Sequence, residues 1–264
     1  LISQWNNTVK PDERFKKFWE MKALRYPLPF DKGTIEKTLS VISMAKAKGV
    51  EIQGKKILDI GCGTGIYTLP LARQAAHVTG LDSSETMIKR LKNEAENHHI
   101  SNLDIIKESW KDMDIETMNL KKRFDIVWTS MSMAVKDKQD FIKMESCSLD
   151  WCVFIGWGRV NRNPIMEEAF RMHNIQHGPH PGAANAFAIL RALGRSPVLE
   201  YFSDFWDWEG TLEEAVDDIS GYIQMRGAAA DRDRLKSLLS KYARNDTIRH
   251  RTNVEEGIVV WQVK

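Results

Sequence analysis

The chain has 264 residues, 42% of them hydrophobic, a length that suits one large domain or two small ones with a proper buried core. No run approaches the roughly 18 consecutive apolar residues of a membrane span, the first thirty residues lack a basic-then-apolar secretory pattern, and Cys62, Cys147 and Cys152 show neither metal-ligand spacing nor a disulfide framework. That cysteine usage favours a reducing compartment and so the cytoplasm, while 38 Lys and Arg interleaved among 36 Asp and Glu argue against a dedicated nucleic-acid binder and for a small-molecule partner; oligomeric state is not readable from the composition.

Residues 1–50 read as a helical cap. Phe15, Phe18, Trp19 and Leu24 lie near helical spacing, Pro27 and Pro29 interrupt it, and Ile35, Leu39, Ile42 and Ala45 resume it. From Lys56 short apolar runs alternate with amphipathic helices, the pattern of a parallel α/β sheet. Strands are expected at Lys56–Ile60, His77–Leu81, Leu103–Lys107, Phe124–Thr129 and Trp151–Gly156. Helices are expected between them at Ile66–Gln74, Ser84–Asn97 and Lys138–Cys147. After Gly158 two helical patterns, Pro164–Ile175 and Ala183–Leu193, stand where one short crossover would suffice, so 161–196 reads as a helical insertion closing over the site as a lid. A sixth strand over Val198–Trp206, helices over Leu212–Gln224 and Asp231–Tyr242, and a last strand over Gly257–Val263 complete residues 197–264. The expected architecture is one Rossmann-like domain over 1–264, a seven-stranded mostly parallel sheet whose ligand-binding core spans 51–160.

The run Ile57-Leu58-Asp59-Ile60-Gly61-Cys62-Gly63-Thr64-Gly65 is a buried strand opening into a glycine turn and a helix. Such a turn lets a ligand approach backbone N–H groups where a side chain would collide. The glycines stand at 61, 63 and 65, whereas a dinucleotide fingerprint wants the third one position later, where this chain has Ile66. Asp59, two residues before the first glycine, would oppose a pyrophosphate and suit a ligand with a cationic amine and a sulfonium. Strand two ends in Leu81-Asp82-Ser83-Ser84, which places Asp82 in the crevice where open α/β sheets bind ligands. Its carboxylate can accept both hydroxyls of a ribose; the structural alternative is a helix N-cap, a role Ser83 or Ser84 can fill.

These residues resemble the class I S-adenosylmethionine (SAM)-dependent methyltransferases, specifically the type 11-like group of small-molecule enzymes. The resemblance covers 56–158. It implies SAM as cofactor, with Asp59, Gly61, Cys62, Gly63, Thr64 and Gly65 around the methionine part, and Asp82 with Ser83 at the ribose. It further implies Glu108, Ser109 and Trp110 beside the adenine, with Met87 on the other adenine face. Trp110 and Met87 serve equally well as core filler.

In that family the reacting centre lies just beyond strand four, here Trp128-Thr129-Ser130-Met131-Ser132-Met133-Ala134. Ser130 falls at the cofactor and Met131 at the acceptor. The segment lacks the Asn-Pro-Pro-aromatic motif of amino-group methylation on adenine or glutamine, and no Pro-Cys pair for cytosine C5 chemistry is present. Methyl transfer needs alignment and dryness, and a general base only for a protonated nucleophile. Candidates for that base are His173, His177 and His180, which otherwise form a solvated polar turn, and Tyr26. Trp19, Tyr26 and Arg159 are further acceptor candidates, with anchoring of the cap and a surface ion pair as the plain alternatives. No metal is expected. An RNA or protein methyltransferase and a non-catalytic SAM-binding protein are the competing functions.

Overall fold

Four apolar runs become parallel strands in the computed structural model, which describes residues 11–176 and 182–263. They are β1 (Lys56–Ile60), β2 (His77–Asp82), β3 (Leu103–Lys107) and β4 (Phe124–Ser130), and β5 (Ser148–Arg162), β6 (Val198–Thr211) and β7 (Thr247–Gln262) extend the sheet in the order β3-β2-β1-β4-β5-β7-β6. Parallel registers set Asp59 opposite Gly80 on β2 and Trp128 on β4, and Ser130 opposite Ile155 on β5. Pairs Arg251–Asp207 and Arg249–Glu209 show β7 running antiparallel to β6. Strand order reverses at β1, flanked by β2 and β4, and that reversal opens a crevice beyond the carboxyl ends of β1 and β4.

Each central strand is apolar on both faces because helices cover both. Ile57, Ile126, Trp128, Val153 and Ile155 pack with Val41, Ile42 and Ala45 of α2 (Lys32–Ala47) and with Leu71 and Ala72 of α3 (Thr68–Ala72). Leu58, Ile60, Val127, Cys152 and Phe154 pack on the other face with Phe141 and Met144 of α5 (Lys138–Cys147) and with Ala183, Ala186 and Leu190 of α7 (Ala183–Ala192). Sequence expectation and structure coincide at α5, which begins on a capping box between Asp137 and Asp140. They part at α3, expected over Ile66–Gln74 and only five residues long. Pro70 supplies no N–H to the carbonyl four residues before it, so the preceding turn stays irregular.

The described residues fall into two compact units. The larger comprises 23–158, 182–202 and 256–263; the smaller comprises 11–22, 159–176 and 203–255. The segment expected as a single insertion is shared out between them. Ile165, Met166, Ala169 and Phe170 of α6 (Pro164–Met172) pack on α8 (Leu212–Met225) and α9 (Arg232–Ser240) in the smaller unit, while α7 belongs to the larger. β5, β6 and β7 are also longer than their apolar runs indicate. In the added halves of β6 and β7, Asp207 and Glu209 pair with Arg251 and Arg249, so cross-strand ion pairs replace the apolar pattern. No helix among the described residues is long and apolar enough to cross a membrane.

Candidate cofactor site

The three glycines of the loop after β1 all have positive φ: +75° at Gly61, +54° at Gly63 and +92° at Gly65. Each is glycine for a different reason. A Cβ on Gly61 would stand 2.1 Å from Ser132 Oγ, so the hydroxyl of the segment after β4 seats directly on the loop. At Gly65 a Cβ would press on Leu91 of α4 (Glu85–Asn97) at 2.9 Å and on Leu69 at 3.1 Å, so this glycine permits helix packing. A Cβ on Gly63 would meet nothing nearer than Met87 Sδ at 3.9 Å, which makes it the glycine whose side-chain direction is open to a ligand.

Asp82 holds this open turn in place. Its Oδ2 accepts the Gly63 N–H at 2.9 Å and its Oδ1 accepts the Ser84 N–H at 2.8 Å. The N-cap of α4 is Ser84, whose Oγ accepts the Met87 N–H at 3.2 Å, so Asp82 is released from capping. A carboxylate offers about four lone-pair directions.

Asp59 is 2% exposed and accepts the Thr68 hydroxyl at 2.6 Å. Burial pushes its pKa up to about 7, the Thr68 hydrogen bond pulls it down, and the charge of Asp82 adds to the rise. Between Asp59 and Asp82 the Cys62 thiol is held well above its usual pKa, first by burial and then by both carboxylates, and is no nucleophile.

Two buried polar atoms have no hydrogen-bond partner among the described residues: Ser130 Oγ at the end of β4 and Trp110 Nε1 after β3. Trp110 is fixed from behind by Lys143 of α5, whose ammonium bonds the carbonyls of Trp110 and Met113 and lies 4.6 Å from the indole centroid. Ser109 is half-buried, its N–H bonded to the exposed Glu108 carboxylate at 2.9 Å. Met87 is buried and Met131 takes a positive φ of 48°. Thr64 Oγ1 donates to the Pro27 carbonyl at 2.7 Å, which ties the Tyr26–Pro27 segment to the glycine loop and leaves Tyr26 half-buried there.

The other described candidates belong to the smaller unit. Trp19 is in the smaller unit, edge-on to Phe18 at 5.3 Å. Arg159 bonds Glu255 through both its N–H and Nε at 3.2 Å, with its side chain 72% exposed, which is the surface ion pair. His173 caps α6 with both ring nitrogens engaged: Nδ1 donates to Ala169 O at 2.7 Å and Nε2 accepts the Asp231 N–H at 2.9 Å. That leaves no lone pair to take a proton from a substrate. His177 and His180 lie outside the described residues. Sequence reasoning gave no role to Thr68 of α3 or Lys143 of α5 and did not single out Ser132 within the segment after β4, because spacing along the chain does not say which loops and helices meet.

Residues 57–146 match the family described as a methyltransferase domain. Over 133 residues the chain is 37% identical to a ubiquinone biosynthesis O-methyltransferase of Coxiella burnetii, an overlap of 48% of this chain and 54% of that protein. A shorter stretch of 51 residues is 51% identical to a 23S rRNA (uracil(1939)-C(5))-methyltransferase of Hahella chejuensis, 19% of this chain and 11% of that one. In three dimensions the chain is similar to magnesium protoporphyrin IX methyltransferase from Synechocystis PCC 6803 with bound S-adenosylhomocysteine, at a TM-score of 0.53 and 13% identity, covering 94% of this chain and 99% of the other. The chain thus spans about half the length of the curated O-methyltransferase it matches. Residues 57–146 thus carry the methyltransferase-domain match, and they hold the glycine loop and Asp82 at the carboxyl edge of a Rossmann-like sheet.

Proposed function

We propose that this chain transfers the methyl group of SAM to a small-molecule acceptor, with an oxygen as the acceptor atom. The observation that carries the cofactor half is Gly63, open on its ligand side and held by the Asp82 carboxylate. The residues fit the group. Asp82 stands at the carboxyl end of β2 beside the open Gly63 turn, where a ribose would lie, the Trp110 N–H and Ser130 hydroxyl are buried donors with no partner among the described residues, and Asp59 offers a carboxylate to the cationic amine. SAM brings an electrophilic methyl group on a sulfonium. The chain's part is to orient it and keep water out, with Tyr26 and Met131 nearest the glycine loop and the end of β4 as acceptor-side candidates. The likeness to an O-methyltransferase and the near-neutral charge support a small acceptor; the 51-residue likeness to an rRNA enzyme supports an RNA acceptor over a shorter stretch. Three free, buried cysteines fit a reducing cytoplasm.

A thermal-shift comparison tests the cofactor. At 100 times Kd, SAM or S-adenosylhomocysteine should stabilise the native state by about 2.7 kcal/mol. For a chain of this size that raises Tm by roughly 5–11 °C. NAD and FAD should leave it unmoved, and a shift with NAD alone sinks the assignment.

The Asp59 carboxyl gives a pH signature. Near its pKa of about 7 it is partly protonated in the free protein, and a bound ammonium would draw it back to the ionised form. Binding must therefore expel a proton on the acid side, so affinity should rise towards tenfold per unit between about pH 5.5 and 7 and then level off. For folding the sign is opposite. A folded pKa raised above the unfolded 3.8 gives stability that is present below that value and lost as pH rises through about 7. Calorimetry in buffers of different ionisation heat, on wild type and Asp59→Asn, measures the proton count. A flat wild-type affinity across that range would separate Asp59 from any cationic group.

A further inference from the structure

His250 lies in the added half of β7, on the sheet face opposite the Arg249–Glu209 and Arg251–Asp207 pairs, and all its partners belong to the smaller unit. Its ring is stacked on Trp208 of β6, centroids 5.2 Å apart and planes 6° from parallel. Nδ1 lies 3.0 Å from Asn163 Nδ2. The orientation of that amide is settled by its other end: Asn163 Oδ1 caps α6, accepting the N–H groups of Ile165 at 3.1 Å and Met166 at 3.2 Å. Nδ2 must then be the donor, to His250 Nδ1 and to Thr252 Oγ1 at 2.8 Å. An imidazole that accepts at Nδ1 carries its proton at Nε2.

Nε2–H has no partner among the described residues and is not sealed from solvent. Burial lowers the imidazole pKa, with Asp218 and Asp207 opposing and Lys22 reinforcing that direction. Protonation would also turn an Nδ1–H towards the Asn163 N–H. The ring is therefore kept neutral with a single outward donor, unsuited to act as a base and suited to recognise an oxygen. Around it, Lys22 pairs with Asp218 at 2.7 Å and lies 4.9 Å from the Tyr222 ring centroid, so the nearest full charges are already matched.

We propose that the Nε2–H of His250 is a binding donor for an oxygen of a small organic ligand, a carbonyl or phenol group, beside the Trp208 ring. The donor site lies wholly within the smaller unit and does not rest on the methyltransferase reading. Capping of α6 explains why Asn163 needs an acceptor at Nδ1, but it gives no task to Nε2.

Two isosteric variants separate the roles, because Asn mimics the Nδ1 side of histidine and Gln the Nε2 side. Catechol and phenol are the probes. The Nε2–H resonance of wild type should be present without ligand and shift on adding catechol, a readout that needs no turnover. His250→Asn should keep the fold and SAM affinity while catechol affinity falls about tenfold, the scale of one lost hydrogen bond at a binding site. His250→Gln should retain catechol affinity to within a few-fold. An Nε2–H signal that neither probe moves, or catechol binding that survives His250→Asn and fails in His250→Gln, overturns the proposal. Loss of SAM binding in the wild type would instead fault the methyltransferase reading and leave the donor site standing.

Discussion

A Gly63→Val variant is expected to fold and to lose SAM binding by roughly 100-fold or more, the cost of one severe clash or lost charged hydrogen bond. The three loop glycines differ in what stands against them. Gly61 and Gly65 are crowded by the protein itself, Ser132 in one case and Leu91 in the other, so substitution there damages the fold before it says anything about ligands. Where a Gly63 side chain would start the protein leaves room, a Cβ there meeting nothing nearer than Met87 Sδ at 3.9 Å. A valine must still be held at a φ near +54°, which costs about 1–3 kcal/mol, within the stability of an ordinary domain. Its methyl groups then occupy the ligand's approach. Gly63→Ala serves as the graded control, carrying much of the backbone strain with less bulk. Circular dichroism and calorimetry with S-adenosylhomocysteine give the result. A folded Gly63→Val protein that binds with wild-type affinity would show that the open face of the loop is not the ligand face.

Much of this site is legible in the sequence, and the reason is local. The glycine loop, Asp82 and the strands before them follow one another within a single βαβ stretch, so spacing along the chain fixes spacing in the crevice. Ser84 as N-cap can be read the same way. What cannot be read depends on distant segments meeting. Ser132 over Gly61, Lys143 behind Trp110 and Thr64 on Pro27 each join parts of the chain that no periodicity relates. His173 misleads for the same reason. Four-residue spacing to His177 marks it as a cluster member, whereas its Nε2 is taken by Asp231, 58 residues further on. The long halves of β6 and β7 escape because their alternation is charged and aromatic, and an apolar-period reading passes over strands held by Arg–carboxylate pairs.

Glu145→Ala is expected to cost more stability than either Gly63→Val or His250→Asn. The Glu145 carboxylate is 5% exposed, an acidic residue among the apolar side chains of α5. It is engaged on three sides: Arg195 grips it through Nε and Nη2, both at 2.8 Å, and Trp261 donates its indole N–H to Oε1 at 2.8 Å. One side chain thus connects α5, the loop after α7 and the end of β7. Removing it strands a guanidinium and leaves a buried indole N–H unsatisfied, and breaking a buried pair from one side typically costs about 3–5 kcal/mol. The Arg195 side chain is 29% exposed and can recover some hydration, which favours the lower end. A loss near 3 kcal/mol lowers Tm by roughly 6–12 °C in a chain of this size. Glu145→Gln should fall between, since its carbonyl can still accept from Trp261 while the charge that Arg195 requires is gone. Arg195→Met in the Glu145→Ala background should recover part of the loss, because the stranded cation is then removed as well. Denaturant titration of wild type and the three variants measures these differences. A Glu145→Ala protein within 1 kcal/mol of wild type, or a double variant no better than the single, would show that Glu145 is solvated in solution and not the buried junction described.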